Sequence, residues 1–476
     1  MAPISPSQIA ELRSLLPNLH IVTPDSPEYE SAITRWNSLG ERNAGAVAFP
    51  TAAQEVSTLL GFASTHALDI AVKAGGHGRR GCSSTTGGLC VDLSRMNAVS
   101  VDTASRRIIV GGGALWSDVY VEAEKYGLAA VGGISPSVGV GGLALHGGYG
   151  WLTGAHGLAL DNILEMQIAL ANGSLVRASA TENEDLFWAM KGAGSLFGAV
   201  TEFVLQGYEQ KDPVWSGILL FGRESLATIV QVCNKVLARE SQGEAALCVG
   251  WGILPGRGKE PEIWVAPWYN GPEDKAKEFF APLLDLQPAL NTTKMVPFSA
   301  SGLAGASAQG KEWRKHENGS SAMAPLDPVF LDRMFDDFAQ FLKTVPDAQR
   351  STVAFEVHNP YPTMRVGQTG TAFPDRGNQV NVLIIPTWTK EENDEACRNW
   401  CREFSAKVGE EFERRKREEG VDEVTKTSVG VYSNYDGLGL SPKEIFGVNY
   451  ERLVELKKKY DPDNLFRNFV DLQATN

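Results

Sequence analysis

Glycine is unevenly placed in this chain, and its placement limits what the chain can fold into. The 49 glycines among 476 residues concentrate in four places: Gly75-Gly76, Gly111-Gly112-Gly113, the span from Gly132 to Gly150, and Gly192 to Gly198. Glycine clusters at strand ends let the backbone approach a ligand closely and turn N–H groups toward phosphate. Four of them point to one large phosphate-bearing cofactor. A nicotinamide-binding fingerprint would need G-x-G-x-x-G straight after the first strand with an acidic residue about 20 positions on, and that arrangement is not found.

The segments around the glycines read as alternating short strands and helices. Ala46–Phe49 closed by Pro50 is a strand, Gln54–His66 a helix and Asp69–Lys73 a second strand, a βαβ-like unit. Arg107–Val110 reads as a strand and Leu115–Tyr126 as a helix ended by Gly127. Ile163–Ala171 and Leu175–Ala178 form a hairpin turning at Asn172-Gly173. From about 210 to 430 the texture changes to amphipathic helices (Ser225–Glu240, Asp274–Leu286, Asp327–Val345, Glu391–Glu418) and apolar strands (Gly217–Phe221, Glu262–Ala266, Val380–Trp388). A last helix, Gly447–Tyr460, stops at Asp461-Pro462-Asp463-Asn464. The class is α+β, and a chain of this length exceeds what one core usually serves, so two lobes with a cofactor between them are expected.

Charge narrows the function. With 44 basic and 57 acidic residues the net charge is −13, which opposes attraction to nucleic acid or anionic lipid. The basic run Arg414–Arg417 is flanked by Glu410, Glu411, Glu413, Glu418 and Glu419 and reads as a solvated helix face laced with ion pairs. No apolar run reaches a membrane span, and the N-terminal residues lack the pattern of a secretory signal, so a cytoplasmic protein, monomeric or weakly oligomeric, is expected. Six scattered cysteines read as buried thiols; Cys397 and Cys401 lack partners for a zinc site, and no metal is expected.

Five glycine-rich motifs occur in order: Lys73-Ala74-Gly75-Gly76-His77-Gly78, Ser135-Pro136-Ser137-Val138-Gly139-Val140-Gly141-Gly142, Gly147-Gly148-Tyr149-Gly150-Trp151-Leu152, Gly157-Leu158-Ala159-Leu160-Asp161-Asn162 and Phe197-Gly198-Ala199-Val200-Thr201. Tyr432-Ser433-Asn434-Tyr435-Asp436, Phe446–Leu453 and Tyr460–Arg467 follow at the far end, and Thr371–Arg376 lies between. Together they resemble the berberine bridge enzyme-like oxidases of the vanillyl-alcohol oxidase superfamily, over residues 40–470. The resemblance implies a PCMH-type FAD-binding domain (1–208), a substrate lobe with an antiparallel sheet covered by helices (209–430), and a C-terminal segment (431–476) returning to the FAD domain.

It further implies FAD bonded through its 8α-methyl carbon to His77. Lys73, Ala74, Gly75, Gly76, Gly78, Arg79, Gly81 and Cys82 would surround that link. Gly133, Ser135, Val138, Gly139, Gly141 and Gly142 would floor the site, with His146, Gly148, Gly150 and Trp151 beyond them, then Gly157, Asp161 and Asn162, Gly198 and Val200, and Asn434 near the ring. Many relatives add a cysteinyl link where this chain has Ser135, so a single link is implied. His146 stands where many relatives have the first glycine of a triple; it either faces the cofactor or fills the core.

Flavin oxidation removes a hydride beside oxygen or nitrogen and often needs a base for the O–H or N–H proton. Tyr435 and Tyr432 are the candidate bases, with Glu356, His358 and Asn381 of the middle lobe as alternatives. Val138, three positions after Ser135, is where the family gates dioxygen. The expected reaction is oxidation of a small organic alcohol, sugar or amine, with electrons passed to dioxygen as hydrogen peroxide. A dehydrogenase with another acceptor, a redox-neutral or cyclising enzyme on the same scaffold, and a flavin-carrying binding protein stay open. Trp251, Trp264, Trp268, Trp313 and Trp388 are candidates for stacking on a substrate or for plain core packing.

Overall fold

The computed structural model describes residues 3–78, 81–238, 241–254, 256–258, 260–303, 313–437 and 439–473. Among these, the strands build three main sheets. In the first, Ala46–Phe49 and Ile70–Lys73 flank Leu89–Asp92 in parallel, and His20–Val22 adds an antiparallel edge. Its strands are short apolar runs because the sheet is covered: Ala53–Thr65 lays Val56, Leu59, Leu60, Phe62 and Ala63 into the core beneath it. In the second, the order is Val99–Asp102, Arg107–Gly111, Ala199–Glu209, Ile163–Ala169, Leu175–Ser179, all antiparallel. The Asn172-Gly173 turn sits where the sequence puts it, with Gly173 at φ +81°.

The middle lobe is a larger antiparallel sheet. Its central strands run Leu219–Phe221, Glu262–Tyr269, Ala245–Gly252, Thr352–Val357, Gln379–Ile385, Asn318–Met323. Side chains alternate between its faces. Leu247, Val249, Trp251, Val353, Phe355, Val382 and Ile384 point into a core shared with the helices Leu226–Leu237, Pro328–Thr344 and Asp394–Arg415. Cys248, Ala354, Glu356 and Leu383 point the other way, toward the glycine-rich domain.

Several boundaries differ from the sequence reading. The strand expected over Val380–Trp388 breaks at Pro386, which cannot donate to the ladder; Thr387–Trp388 leaves to pair with Arg314–Lys315. The helix expected over Asp274–Leu286 divides into Glu273–Phe279 and Ala281–Leu284, with Pro282 just inside the second. Ala245–Gly252 is buried at every residue, so it lacks the alternation that marks a strand. Arg414 pairs with Glu411 and Glu418, and Lys416 with Glu413, the ion-paired face read from the sequence. No described helix is long and apolar enough to cross a membrane.

Two buried ion pairs hold distant parts of the chain together. Lys457, 1% exposed, gives its three protons to Asp461 Oδ2 (2.6 Å), Leu196 O (2.7 Å) and Phe466 O (2.6 Å), and so fastens the C-terminal helix Tyr450–Tyr460 to the glycine-rich domain. Arg376, with no exposed surface, donates to both oxygens of Asp161 (2.8 and 3.1 Å) and to Thr363 O, Thr371 Oγ1 and Phe373 O. All five guanidinium protons are used. Arg376→Met should therefore cost about 3–5 kcal/mol, because it strands the Asp161 carboxylate between the lobes. Urea unfolding monitored by tryptophan fluorescence checks this; a loss below about 1 kcal/mol would mean the pair behaves like a solvated one.

Candidate active site

A long cleft runs between the glycine-rich domain and the bare face of the middle sheet. The loop after Ile70–Lys73 brings His77 to its wall. Gly76 takes φ +76°, which only glycine adopts at low cost, and a Cβ at Gly75 would collide with the Gly139 backbone, so the two loops meet through bare backbone. His77 Nε2 lies 3.3 Å from Ser137 Oγ, and the imidazole stacks on Trp36 with ring centroids 5.3 Å apart and planes 20° apart.

The second motif forms the floor. Ser135, Val138 and Gly139 line the cleft, and Gly139 caps the short helix Val140–Ala144. The Gly141 and Gly142 backbones face the cavity, and a Cβ at Gly142 would meet no atom within 4 Å. Further along, His146 Nε2 is 2.6 Å from Ser195 Oγ and its ring stacks on Phe469 at 4.0 Å. Burial lowers its pKa to about 3, so it is neutral at physiological pH.

The middle sheet supplies the roof: Cys248, Trp264, Ala354, Glu356, Leu383 and Ile385. Most of this surface is apolar. The C-terminal segment closes one side, where Tyr435 donates its hydroxyl proton to Glu356 Oε1 at 2.7 Å and Asn381 Nδ2 lies 3.4 Å from the other carboxylate oxygen. Tyr432 Oη accepts from Gly148 N–H (3.0 Å) and Asn434 Nδ2 (2.8 Å). Burial drives the Tyr432 phenol well above its ordinary range, and the nearby Glu356 charge pushes the same way. Burial does the same to Tyr149. It also lowers His358, packed against Tyr149 at 5.0 Å, to about 4.

The cleft brings together His77, Ala74, Gly75, Gly76, Gly78, Cys82, Gly133, Ser135, Val138, Gly139, Gly141, Gly142, His146, Gly198, Val200, Tyr432, Asn434 and Tyr435. Eight residues expected to touch the cofactor stand off its wall as scaffold. Lys73 turns to Asp92 at 2.8 Å, and Gly81 (φ +76°) packs on Gly40. Gly148 donates to Tyr432, and Gly150 lies against Gly132 with no room for a Cβ. Trp151 donates to Ser301 O and stacks on Trp268. Gly157 (φ +81°) turns the chain beside Asp161, the partner of Arg376, and Asn162 ties His156 O and Leu158 O. Arg79 lies outside the described residues. Of the five tryptophans, Trp251, Trp268 and Trp388 are fully buried in cores, and Trp313 packs under Arg350. Trp264 reaches the cleft.

Trp36, Ser137 and Ser195 escaped the sequence reading. Trp36 and Ser195 lie outside the quoted motifs, and Ser137 counts in its motif only as a spacer. The residues present suit FAD. A glycine floor with open space at Gly142 accepts a flat ring, and the His77 imidazole reaches the wall. Among the described residues no group of three or more His, Cys, Asp or Glu side chains could hold a metal ion.

Comparison with known proteins agrees with this geometry. The FAD binding domain family matches residues 44–179, and the family described as berberine and berberine like matches 431–469. The chain is 32% identical to the FAD-linked oxidoreductase pgmH of Aspergillus terreus, over 98% of this chain and 95% of that protein. It is 38% identical over 199 residues to (R)-6-hydroxynicotine oxidase of Paenarthrobacter nicotinovorans, 42% of this chain and 43% of the relative. The crystal structure of 6-hydroxy-D-nicotine oxidase from Arthrobacter nicotinovorans superposes with a TM-score of 0.78 at 26% identity, covering 95% of this chain and 97% of that one.

Proposed function

This chain belongs to the berberine bridge enzyme-like family of FAD-linked oxidoreductases, and from that premise we propose that it oxidises a small, largely apolar organic molecule at a carbon bearing oxygen or nitrogen. The FAD is held through His77 alone, and dioxygen is the electron acceptor. The observation that carries this reading is the Tyr435–Glu356 pair at the edge of an apolar roof, in the same cleft as His77.

Bound FAD supplies the two-electron acceptor. Tyr435 Oη takes the proton of the substrate O–H or N–H as its own passes to Glu356 Oε1, already 2.7 Å away. Asn381, through its amide, steadies the second oxygen of Glu356. Tyr432 keeps its proton and holds Gly148 and Asn434 in place. Trp264, Leu303, Leu383 and Ile385 exclude water and offer few partners to a polyol. A flat aromatic or heteroaromatic alcohol or amine therefore suits the cleft better than a sugar. The test is an anaerobic screen of such compounds beside sugars, watching the flavin absorbance bleach. Bleaching by sugars alone would reverse the substrate class, and bleaching by none would remove the oxidation reading.

Dioxygen use rests on Val138, which lines the cleft three residues beyond Ser135. A close-packed wall leaves little spare volume, and one added methylene there removes room for a diatomic molecule. Val138→Leu should slow reoxidation of photoreduced enzyme roughly tenfold or more with little change in stability. Stopped-flow mixing with air-saturated buffer reads this without knowledge of the substrate. Slow reoxidation of the unaltered protein, unaffected by the substitution, would move the assignment to a dehydrogenase.

A further inference from the structure

We propose that Trp36 is the positioning residue that orients the His77 imidazole for covalent attachment of the flavin. The inference rests on the reading that His77 carries the cofactor. A histidine ring turns about two side-chain bonds, and His77 sits between Gly76 and Gly78, which have no side chains to confine it. Two described contacts restrict the ring: Ser137 Oγ near Nε2, and the Trp36 indole lying almost parallel to it.

Trp36 is itself firmly placed. Its backbone N–H donates to Gly76 O at 3.2 Å, so indole and imidazole hang from backbones that are bonded to each other. On one side of it, Arg35 grips Ser83 O with Nε and Nη2 (3.2 and 2.8 Å). On the other, Asn37 caps Ser38–Gly40 and donates to Lys315 O at 3.0 Å. Lys315, 2% exposed, places its ammonium 4.3 Å from the centre of the indole ring, a cation–π contact strengthened by burial. The substrate lobe thereby presses on the ring that the flavin-bearing histidine leans against. Among the described residues the buried indole N–H has no acceptor, so the hydrogen bonds seen in the fold do not account for a tryptophan here. Its flat face does.

Attachment joins an imidazole nitrogen to the 8α-methyl carbon. One hydrogen leaves the methyl group and one leaves the imidazole, and these two protons with two electrons pass to dioxygen as hydrogen peroxide. The bond forms only when the nitrogen faces the carbon at near-contact distance, and small misplacements are costly.

The test compares the unaltered protein with Trp36→Phe, which keeps a flat face, and Trp36→Leu and Trp36→Ala, which do not. Each is produced under riboflavin limitation and incubated with FAD. Covalent flavin is measured in acid-precipitated protein, and total flavin after gel filtration. The unaltered protein and Trp36→Phe should attach flavin at similar rates. Trp36→Leu and Trp36→Ala should attach it about tenfold to a hundredfold more slowly while still binding FAD reversibly at the same ratio. Attachment by Trp36→Leu and Trp36→Ala at the unaltered rate would overturn the positioning role, and so would loss of reversible binding in step with covalent binding. Unaltered protein whose flavin is wholly released by acid would overturn the His77 reading and this inference together.

Discussion

His77→Ala should convert a protein whose flavin stays yellow on the acid-precipitated chain into one that releases all of it. The change is all-or-none because a covalent bond is at stake, whereas the surfaces that bind FAD reversibly are mostly backbone. The Gly139, Gly141 and Gly142 floor and the Gly75–Gly139 contact do not involve the imidazole. The variant should therefore fold and still bind FAD that gel filtration in denaturant removes. Ser135 cannot form the thioether a cysteine would, so peptide mass spectrometry should find the flavin on the His77 peptide alone. Cys82 is the cysteine to watch, since it lines the cleft and its Sγ lies against Gly78, the neighbour of His77. A flavin on the Cys82 peptide would refute the single link, and full release from the unaltered protein would refute any link.

Tyr435→Phe should slow substrate-driven flavin reduction by roughly 10²–10⁴, the range for loss of a positioned acid–base group. Phenylalanine keeps the ring that packs at right angles to Tyr432 (4.7 Å, 76°) and deletes only the hydroxyl that bonds Glu356. Glu356→Gln tests the same step from the other end: the amide oxygen still accepts the Tyr435 hydrogen bond, but it is too weak a base to take the proton. Its loss should approach that of Tyr435→Phe. Tyr432→Phe should cost much less in the chemical step, because burial holds that phenol protonated while its oxygen is engaged by Gly148 and Asn434. Rapid-reaction absorbance with a reducing substrate separates the three. If Tyr432→Phe were the crippling change and Tyr435→Phe mild, the roles would have to be exchanged.

Much of this was legible before any coordinates. The four glycine clusters pointed to a phosphate-bearing cofactor because glycine is required wherever two backbones touch or a turn takes positive φ, and Gly75 against Gly139 and Gly76 at +76° are such places. His77 stood out through the family resemblance, which gives the histidine between Gly76 and Gly78 the flavin link. The amphipathic helices of the middle lobe were readable because one face of each is buried against one sheet, which imposes a period on the residues. A wholly buried strand such as Ala245–Gly252 carries no period and went unread.

Which motif residues meet the cleft was settled by the tertiary structure. Trp151 shares its motif with Tyr149 of the wall, and Asp161 and Asn162 belong to a motif that places no residue there; they hold Ser301, Arg376 and Leu158, because a motif records everything needed to shape a loop and not only what touches the ligand. The pairing of Tyr435 with Glu356 joins residues 79 positions apart on different elements, and the stack of Trp36 on His77 joins the connection between His20–Val22 and Ala46–Phe49 to the loop after Ile70–Lys73. Local sequence dictates backbone shape, through sterics that act within a few residues. Contacts between distant side chains depend on how sheets and helices pack, and only the folded chain brings such pairs within reach of each other.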